Sequence, residues 1–412
     1  MVDVDKRLPV TYTSKWEKID LKISAYKMTQ AQDAMFWAVL IYRLQSARRR
    51  RAFKMEGNVL RTPLHDKHIQ NGAQMAPFMG CLLPSHYGDT AAEHQAVRTA
   101  AGLFDAAHRC EVRIFGADAL RNLQNLLCSN LSTLQVGQVC RSLMLNMQGG
   151  VMDDVQVYHI DENEYRLALH TCNRDKDLRH ISRQCFGSVT VAEAEAECRL
   201  TLTGPQSAAI FARLCDTLPI KNAFAFTQAA GVSCRVSRIG FAGEDSFSLC
   251  CAAADGERLY QALIETGTPA GLRPCGMESF VSLRLEAGHS LYGLEIDDAV
   301  SPMETGFRYL VHLNKREFIG RDALIAAGEP RRARIGLILS EDVARPGCAV
   351  VHRDKQVGTV TSGGYCPYLD VSVAMALVET PYRDVGKTLR VERDDVLYEA
   401  KVVPLPFYSR ES

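Results

Sequence analysis

The stretch Gly149–Ile160 reads GGVMDDVQVYHI, a glycine pair followed by two adjacent carboxylates and an alternating apolar run. Glycine tolerates positive φ and close backbone approach, so the pair marks a bend at which a following carboxylate can be held in fixed geometry. From Val155 to Ile160 the alternation has the period of a half-buried strand. Two readings of the acidic pair are open here: a plain hairpin turn, and a functional site at the mouth of a strand.

Outward from this point the patterns alternate between helix and strand. Helices are expected at Ala91–Ala101, at Ala117–Leu127, where Leu120, Leu123, Leu126 and Leu127 share one face, and at Lys176–Arg183. Strands are expected at Ser142–Asn146, Val155–Ile160 and Tyr165–Leu169. A second stretch repeats the mixture, with strands at Cys198–Leu202, Cys234–Ile239 and Ser246–Cys251 and helices at Ala208–Leu214 and Gly256–Glu265. Such mixing with hairpins favours an α+β class over a doubly wound sheet. Beyond the polar segment Ala327–Arg334 helical periodicity disappears and short strands follow, broken by Pro346-Gly347 and Gly363-Gly364. That is the pattern of a small β-barrel, expected over residues 330–410 and appended to an α+β body of two intertwined subdomains at 58–325.

The 412 residues, 47% hydrophobic and with formal net charge +0, can bury substantial cores. Neutrality conceals an asymmetry: residues 1–55 hold twelve Lys/Arg against five acids, so the head is basic and the body acidic. A basic extension over residues 1–57 is expected to be disordered. The apolar run Ala34–Tyr42 is about half the length that spans a bilayer, and the charges follow it rather than precede it, so neither a membrane span nor a secretory signal is expected. A cytoplasmic protein is the expectation, or one of the mitochondrial matrix if the Arg-rich head is a presequence. Fourteen cysteines are scattered without a CxxC pair, which reads as small buried residues in a reducing compartment, and no metal site is expected. There is no GxGxxG, no GxxxxGK[ST] and no GxSxG, and the Arg48–Arg51 run lacks interleaved aromatics, so nucleotide, acyl-transfer and nucleic-acid functions are not supported.

Further segments share a pattern with GGVMDD. Thr62–His108 contains TPLHDKH and HYGDTAAEHQAVRTAAGLFD, and Ser282–Pro302 reads SLRLEAGHSLYGLEIDDAVSP. With GFAGED (Gly240–Asp245), FIGRDAL (Phe318–Leu324) and GTVTSG (Gly358–Gly363), these resemble, in order, the aminomethyltransferase family, the T-protein of the glycine cleavage system. The resemblance runs from about Thr62 to Phe407 and implies a three-domain cloverleaf, with its third domain a small β-barrel, around a cavity for tetrahydrofolate.

The resemblance implies transfer of an aminomethyl carbon from the lipoyl arm of the H-protein to tetrahydrofolate, with release of ammonia. Asp153 then takes the catalytic position, and Asp154, His170, Glu244, Arg284, Tyr292 and Tyr408 are candidates for cofactor contacts. A fixed carboxylate suits a carbon that develops positive charge. Several family positions differ: Ser248 stands where the family has Glu, Phe280 and Val281 where it has Arg and Asp, Arg141 where an aromatic is common, and His170 where it has Asn. Two alternatives follow from these departures, a related tetrahydrofolate-dependent demethylase and a folate-cavity protein without catalysis. His108 is expected either to orient a loop or to sit in the core, and Arg284 and Glu286 either to line the cavity or to pair with one another on one helix.

Overall fold

A computed structural model describes residues 59–341 and 344–410, so expectations for residues 1–57 lie outside the described residues. Most of the body is built from two units of the same element order: strand, helix, three-strand meander, helix, strand. In the first unit these are Arg109–Phe115, Ala119–Leu126, the meander Val139–Leu145, Val151–Asp161 and Glu164–His170, then Arg174–Gln184 and Thr190–Glu193. In the second they are Glu197–Thr203, Ser207–Phe211, the meander Phe224–Ala229, Val232–Ser237 and Ser246–Ala252, then Gly256–Gly267 and Leu272–Pro274.

Each unit folds as one sheet with its first strand inserted beside the third strand of the meander. The second sheet accepts one more strand, Ala101–Asp105, from upstream in the chain, which makes it six-stranded against five. Both sheets bury one face against their own helices. Leu123 and Leu126 seal the first core and Leu259, Tyr260 and Leu263 the second, at the i, i+3, i+4 spacing that one helix face requires. The helix Met277–Glu286 packs against the helix Thr90–Thr99, the strand Cys81–His86 and the barrel, and is buried at nearly every position.

After the helix Arg321–Ala327 the chain closes a six-stranded antiparallel barrel. Its strands are Arg332–Leu339, Ala349–His352, Lys355–Cys366, Val371–Glu379, Thr388–Arg393 and Val396–Val403, the last pairing with the first to complete the ring. All fourteen cysteines are free thiols. No helix among the described residues is long and apolar enough to cross a membrane.

The structure revises the expected reading at three places. Ala101–Asp105 is a fully buried strand rather than a helix end, because the helix Thr90–Thr99 stops two residues earlier. The final barrel strand Val396–Val403 carries Glu399 and Lys401 on its exposed face, which hides its apolar period. The acidic pair lies inside a strand, since pairing already begins at Val151. Asn146 to Gly150 is a hairpin turn, and the carboxylates beyond it enter the interior.

That turn is fixed by close contacts. Gly149 has φ +82°, and the Asn146 side-chain oxygen accepts from the backbone N–H groups of Gln148 and Gly150 at 3.0 Å each. The Val151 N–H is shared between the carbonyls of Asp297 and Val300 at 3.1 Å, which brings the Asp297–Val300 loop against the glycines. A Cβ at Gly150 would lie 1.9 Å from the Asp298 carbonyl oxygen. Gly150→Ala is therefore expected to cost roughly 2–4 kcal/mol in urea unfolding. Gly72→Ala, at φ +80° but with nothing within 4 Å, should cost about 1 kcal/mol of backbone strain alone.

Candidate active site

The two sheets face one another across a cavity that the helix Met277–Glu286 covers. Its main part has about 630 Å³ of atom-free space, entrance included, and an adjoining part has about 370 Å³. The first sheet contributes Arg109, Arg141 and Gln156, and the second Phe104, Arg199, Thr201 and Ser248. Phe241 and Phe280, with ring centroids 4.2 Å apart, line both parts together with His108.

Asp153 lies directly behind this wall, with 0% of its surface exposed. A buried carboxylate is costly unless donors surround it, and Asp153 has three. Its Oδ1 accepts from the His170 ring Nδ1–H at 2.5 Å and from the Asp154 backbone N–H at 3.0 Å, and its Oδ2 accepts from the His170 backbone N–H at 2.9 Å. Burial pushes its pKa up, but the His170 ring and the Arg109 guanidinium outweigh burial and hold the carboxyl well below the usual carboxylate range.

Asp154 is on the cavity wall. Its Oδ2 accepts from Arg109 at 3.0 Å, while its buried Oδ1 has no hydrogen-bond donor. Burial again raises and Arg109 lowers this carboxyl, with a net depression. Asp153, Asp154 and His170 bring three potential metal-ligand atoms within 4.8 Å of one another. The Arg109 guanidinium already supplies positive charge beside the two carboxylates.

Asp177, also 0% exposed, lies behind Asp153, and neither of its oxygens finds a donor. Burial first, then the charge of Asp153, raises its carboxyl well above the usual range. A proton carried by Asp177 and directed at Asp153 meets the needs of both groups.

The second sheet is tied to the first by buried charge. Glu111, on the strand Arg109–Phe115, receives Arg199 at 2.8 Å and Arg235 at 3.0 Å across the gap. Burial opposes its ionisation, but these two guanidiniums bring its pKa down to about 2.

The sequence-derived candidates fall into three groups. Asp154, His170 and Arg284 reach the cavity wall, and Asp153 supports it from behind. Tyr292 sits beyond His170, ring centroids 6.1 Å apart, and accepts from Lys176 at 2.7 Å. Glu244 and Tyr408 are not on the wall: the Tyr408 hydroxyl donates to Glu244 at 2.5 Å, and Arg98 donates to Glu244 at 3.1 Å while lying over the Tyr408 ring. They anchor the C-terminal segment to the body. Arg284 does not pair with Glu286, because residues two apart point to different sides of a helix. Its guanidinium instead bonds Glu295 at 2.8 Å and Ser362 at 2.7 Å, joining body to barrel, and Glu286 takes Arg98 at 2.8 Å.

All four positions that depart from the family pattern at cofactor contacts line this one cavity, Arg141 and His170 from the first sheet, Ser248 from the second and Phe280 from the covering helix. Arg109, Arg199 and His289 also line it and are not singled out by the sequence. The signal for Arg109 lies in the alternation of Arg109, Glu111 and Arg113 with Cys110, Val112 and Ile114, which reads as an ordinary wet strand face until a second sheet covers it.

Comparison with known proteins follows the same outline. Residues 64–315 match the model of the GCVT N-terminal domain, and residues 332–409 that of the glycine cleavage T-protein C-terminal barrel domain. An aminomethyltransferase of Desulforamulus reducens is 38% identical over 358 residues, 85% of this chain and 98% of its own. One from Bacillus subtilis is 35% identical over 359 residues, covering 85% and 99%. The crystal structure of the glycine cleavage system aminomethyltransferase T from Bartonella henselae superposes with a TM-score of 0.80 at 27% identity, over 85% of this chain and 98% of that one.

Two outcomes test the site's electrostatics and anchoring. Asp177 holds its proton more tightly folded than unfolded, so folding takes up a proton and stability falls as pH rises above the ordinary carboxylate range. Asp177→Asn removes that loss, and its gain over the wild type in urea midpoint should grow between about pH 4 and pH 7. Glu244→Gln should cost roughly 1–3 kcal/mol of stability by removing one of the two carboxylates that hold the buried Arg98, and calorimetry should find ligand affinity within about twofold of the wild type.

Proposed function

Because the chain belongs to the glycine cleavage T-protein family, we propose that it is a tetrahydrofolate-dependent aminomethyltransferase that takes its carbon from the lipoyl arm of an H-protein and releases ammonia. The single observation that carries this reading is the ionised Asp153, held against a cavity by three donors. The wall suits the cofactor's ring system at two points. The rings of Phe241 and Phe280 offer flat apolar surface, and the orphaned Asp154 Oδ1 offers an acceptor for an N–H edge. Ser248 and Phe280 remove two charged contacts of the family pattern, and Asp154 and Arg141 supply charge from the opposite side of the same cavity.

Bound tetrahydrofolate would supply the nitrogen nucleophiles that accept the carbon. Asp153 supplies the fixed negative potential that favours positive charge developing on the transferred carbon. His170 keeps that carboxylate aimed, through both its ring and its backbone N–H, and its ring can hold or pass a proton at Nδ1. The aromatic lining and the covering helix exclude water, which raises the effect of each fixed charge.

Asp153→Asn is expected to lower turnover about 10²- to 10³-fold, measured as ammonia released from aminomethylated H-protein with tetrahydrofolate. Binding of tetrahydrofolate to that variant should stay within about fivefold, since the group acts from behind the wall. Wild-type turnover in Asp153→Asn would remove the role given to this carboxylate.

A further inference from the structure

Of the arginines that line the cavity, Arg141 differs from the others in its partners. Arg109 is answered by Asp154 at 3.0 Å, and Arg199 by Glu111 at 2.8 Å and Glu197 at 2.5 Å. Arg141 lines both parts of the cavity, and no carboxylate among the described residues comes within ion-pair distance of it. Its donors reach only the Gly240 carbonyl at 2.7 Å and the His289 Nδ1 at 3.5 Å. Burial lowers the pKa of Arg141, whereas the charges of Asp154 and Asp153 outweigh burial and raise that of Arg109 beside it. His289, depressed by burial and by Arg141 to about 3, is a neutral neighbour.

A half-buried guanidinium with N–H groups open to a cavity is a fork for a carboxylate. On the neighbouring strand of the same sheet, Asp154 Oδ1 is a buried acceptor without a hydrogen-bond donor, with the His170 Nδ1 at 3.4 Å. The two unmet needs are opposite in sign and share one compartment.

We propose that Arg141 is an anion seat that takes a carboxylate of the cavity's ligand, with Asp154 Oδ1 receiving an N–H group of that ligand. The carboxylate has two possible sources. One is the glutamate tail of a folate, in which case the inference rests on the proposed function. The other is a small N-alkylated amino-carboxylate, whose carboxylate and ammonium match Arg141 and Asp154 and whose N-alkyl carbon is a transferable one-carbon unit.

Calorimetric titration of the full chain and of its R141Q and R141K variants decides the matter. The probes are tetrahydrofolate and 6-methyltetrahydropterin, which lacks the tail, and N-methylglycine and N-methylethanolamine, which lacks the carboxylate. R141Q should weaken at least one carboxylate-bearing probe roughly tenfold or more and leave its carboxylate-free counterpart unchanged. R141K, which keeps the charge but loses the fork, should fall between the two, and it carries the test if thermal melting shows R141Q to be unfolded. Arg141-dependent binding of N-methylglycine without binding of tetrahydrofolate would uphold the seat and overturn the folate reading. Wild-type affinity of R141Q for both carboxylate-bearing probes, or binding of neither by the wild type, would overturn the seat.

Discussion

The interior of this protein is organised around a buried negative charge. Asp153 has no access to solvent, yet it is held ionised, and a bare carboxylate in such a place would either unfold its surroundings or take up a proton. The chain meets that constraint with a ring and a backbone N–H from His170, the backbone N–H of Asp154 and the nearby Arg109. The glycine turn, the meander register and the loop Asp297–Val300 all serve to bring those donors to one point. Asp177 extends the same logic: the second carboxyl carries the proton so that the first need not.

The cavity in front of Asp153 exists because two sheets of like topology face each other with charges between them. Glu111 accepts from Arg199 and Arg235 across the seam, so ion pairing joins the apolar contact of Tyr158 with Phe224 in setting the separation of the sheets. An apolar seam would close. A seam of guanidiniums and carboxylates stays open wherever a charge lacks its partner, and Arg141 marks that place. The barrel is held to this body by Arg284, Glu295 and Ser362, and the C-terminal segment by Glu244, Tyr408 and Arg98.

Sequence periodicity is a good guide here where one face of an element is wet. The helices near Leu123 and Leu259 and most barrel strands are readable for that reason. It fails where a strand is buried on both sides, as at Ala101–Asp105, and where charged residues face another sheet instead of water, as at Arg109, Glu111, Arg199 and Arg235. The duplication of the two units is hidden because they share element order and hydrophobic period rather than residues. Asp153, Asp154 and His170 could be named from local motifs. Glu244 could not be placed from its glycine-rich turn, because its partners Arg98 and Tyr408 lie 146 and 164 residues away in the chain.

The most direct measurement is a ¹³C NMR titration of the aspartate side-chain carboxyl carbons, with Asp153 and Asp177 assigned from Asp153→Asn and Asp177→Asn. The Asp153 signal should remain that of a carboxylate throughout, from about pH 4 to pH 8, while Asp177 remains protonated well above the ordinary carboxylate range. An Asp153 signal that titrates near an ordinary carboxylate value or above would contradict the account. The fixed charge on which both the cavity and the proposed chemistry rest would then be absent.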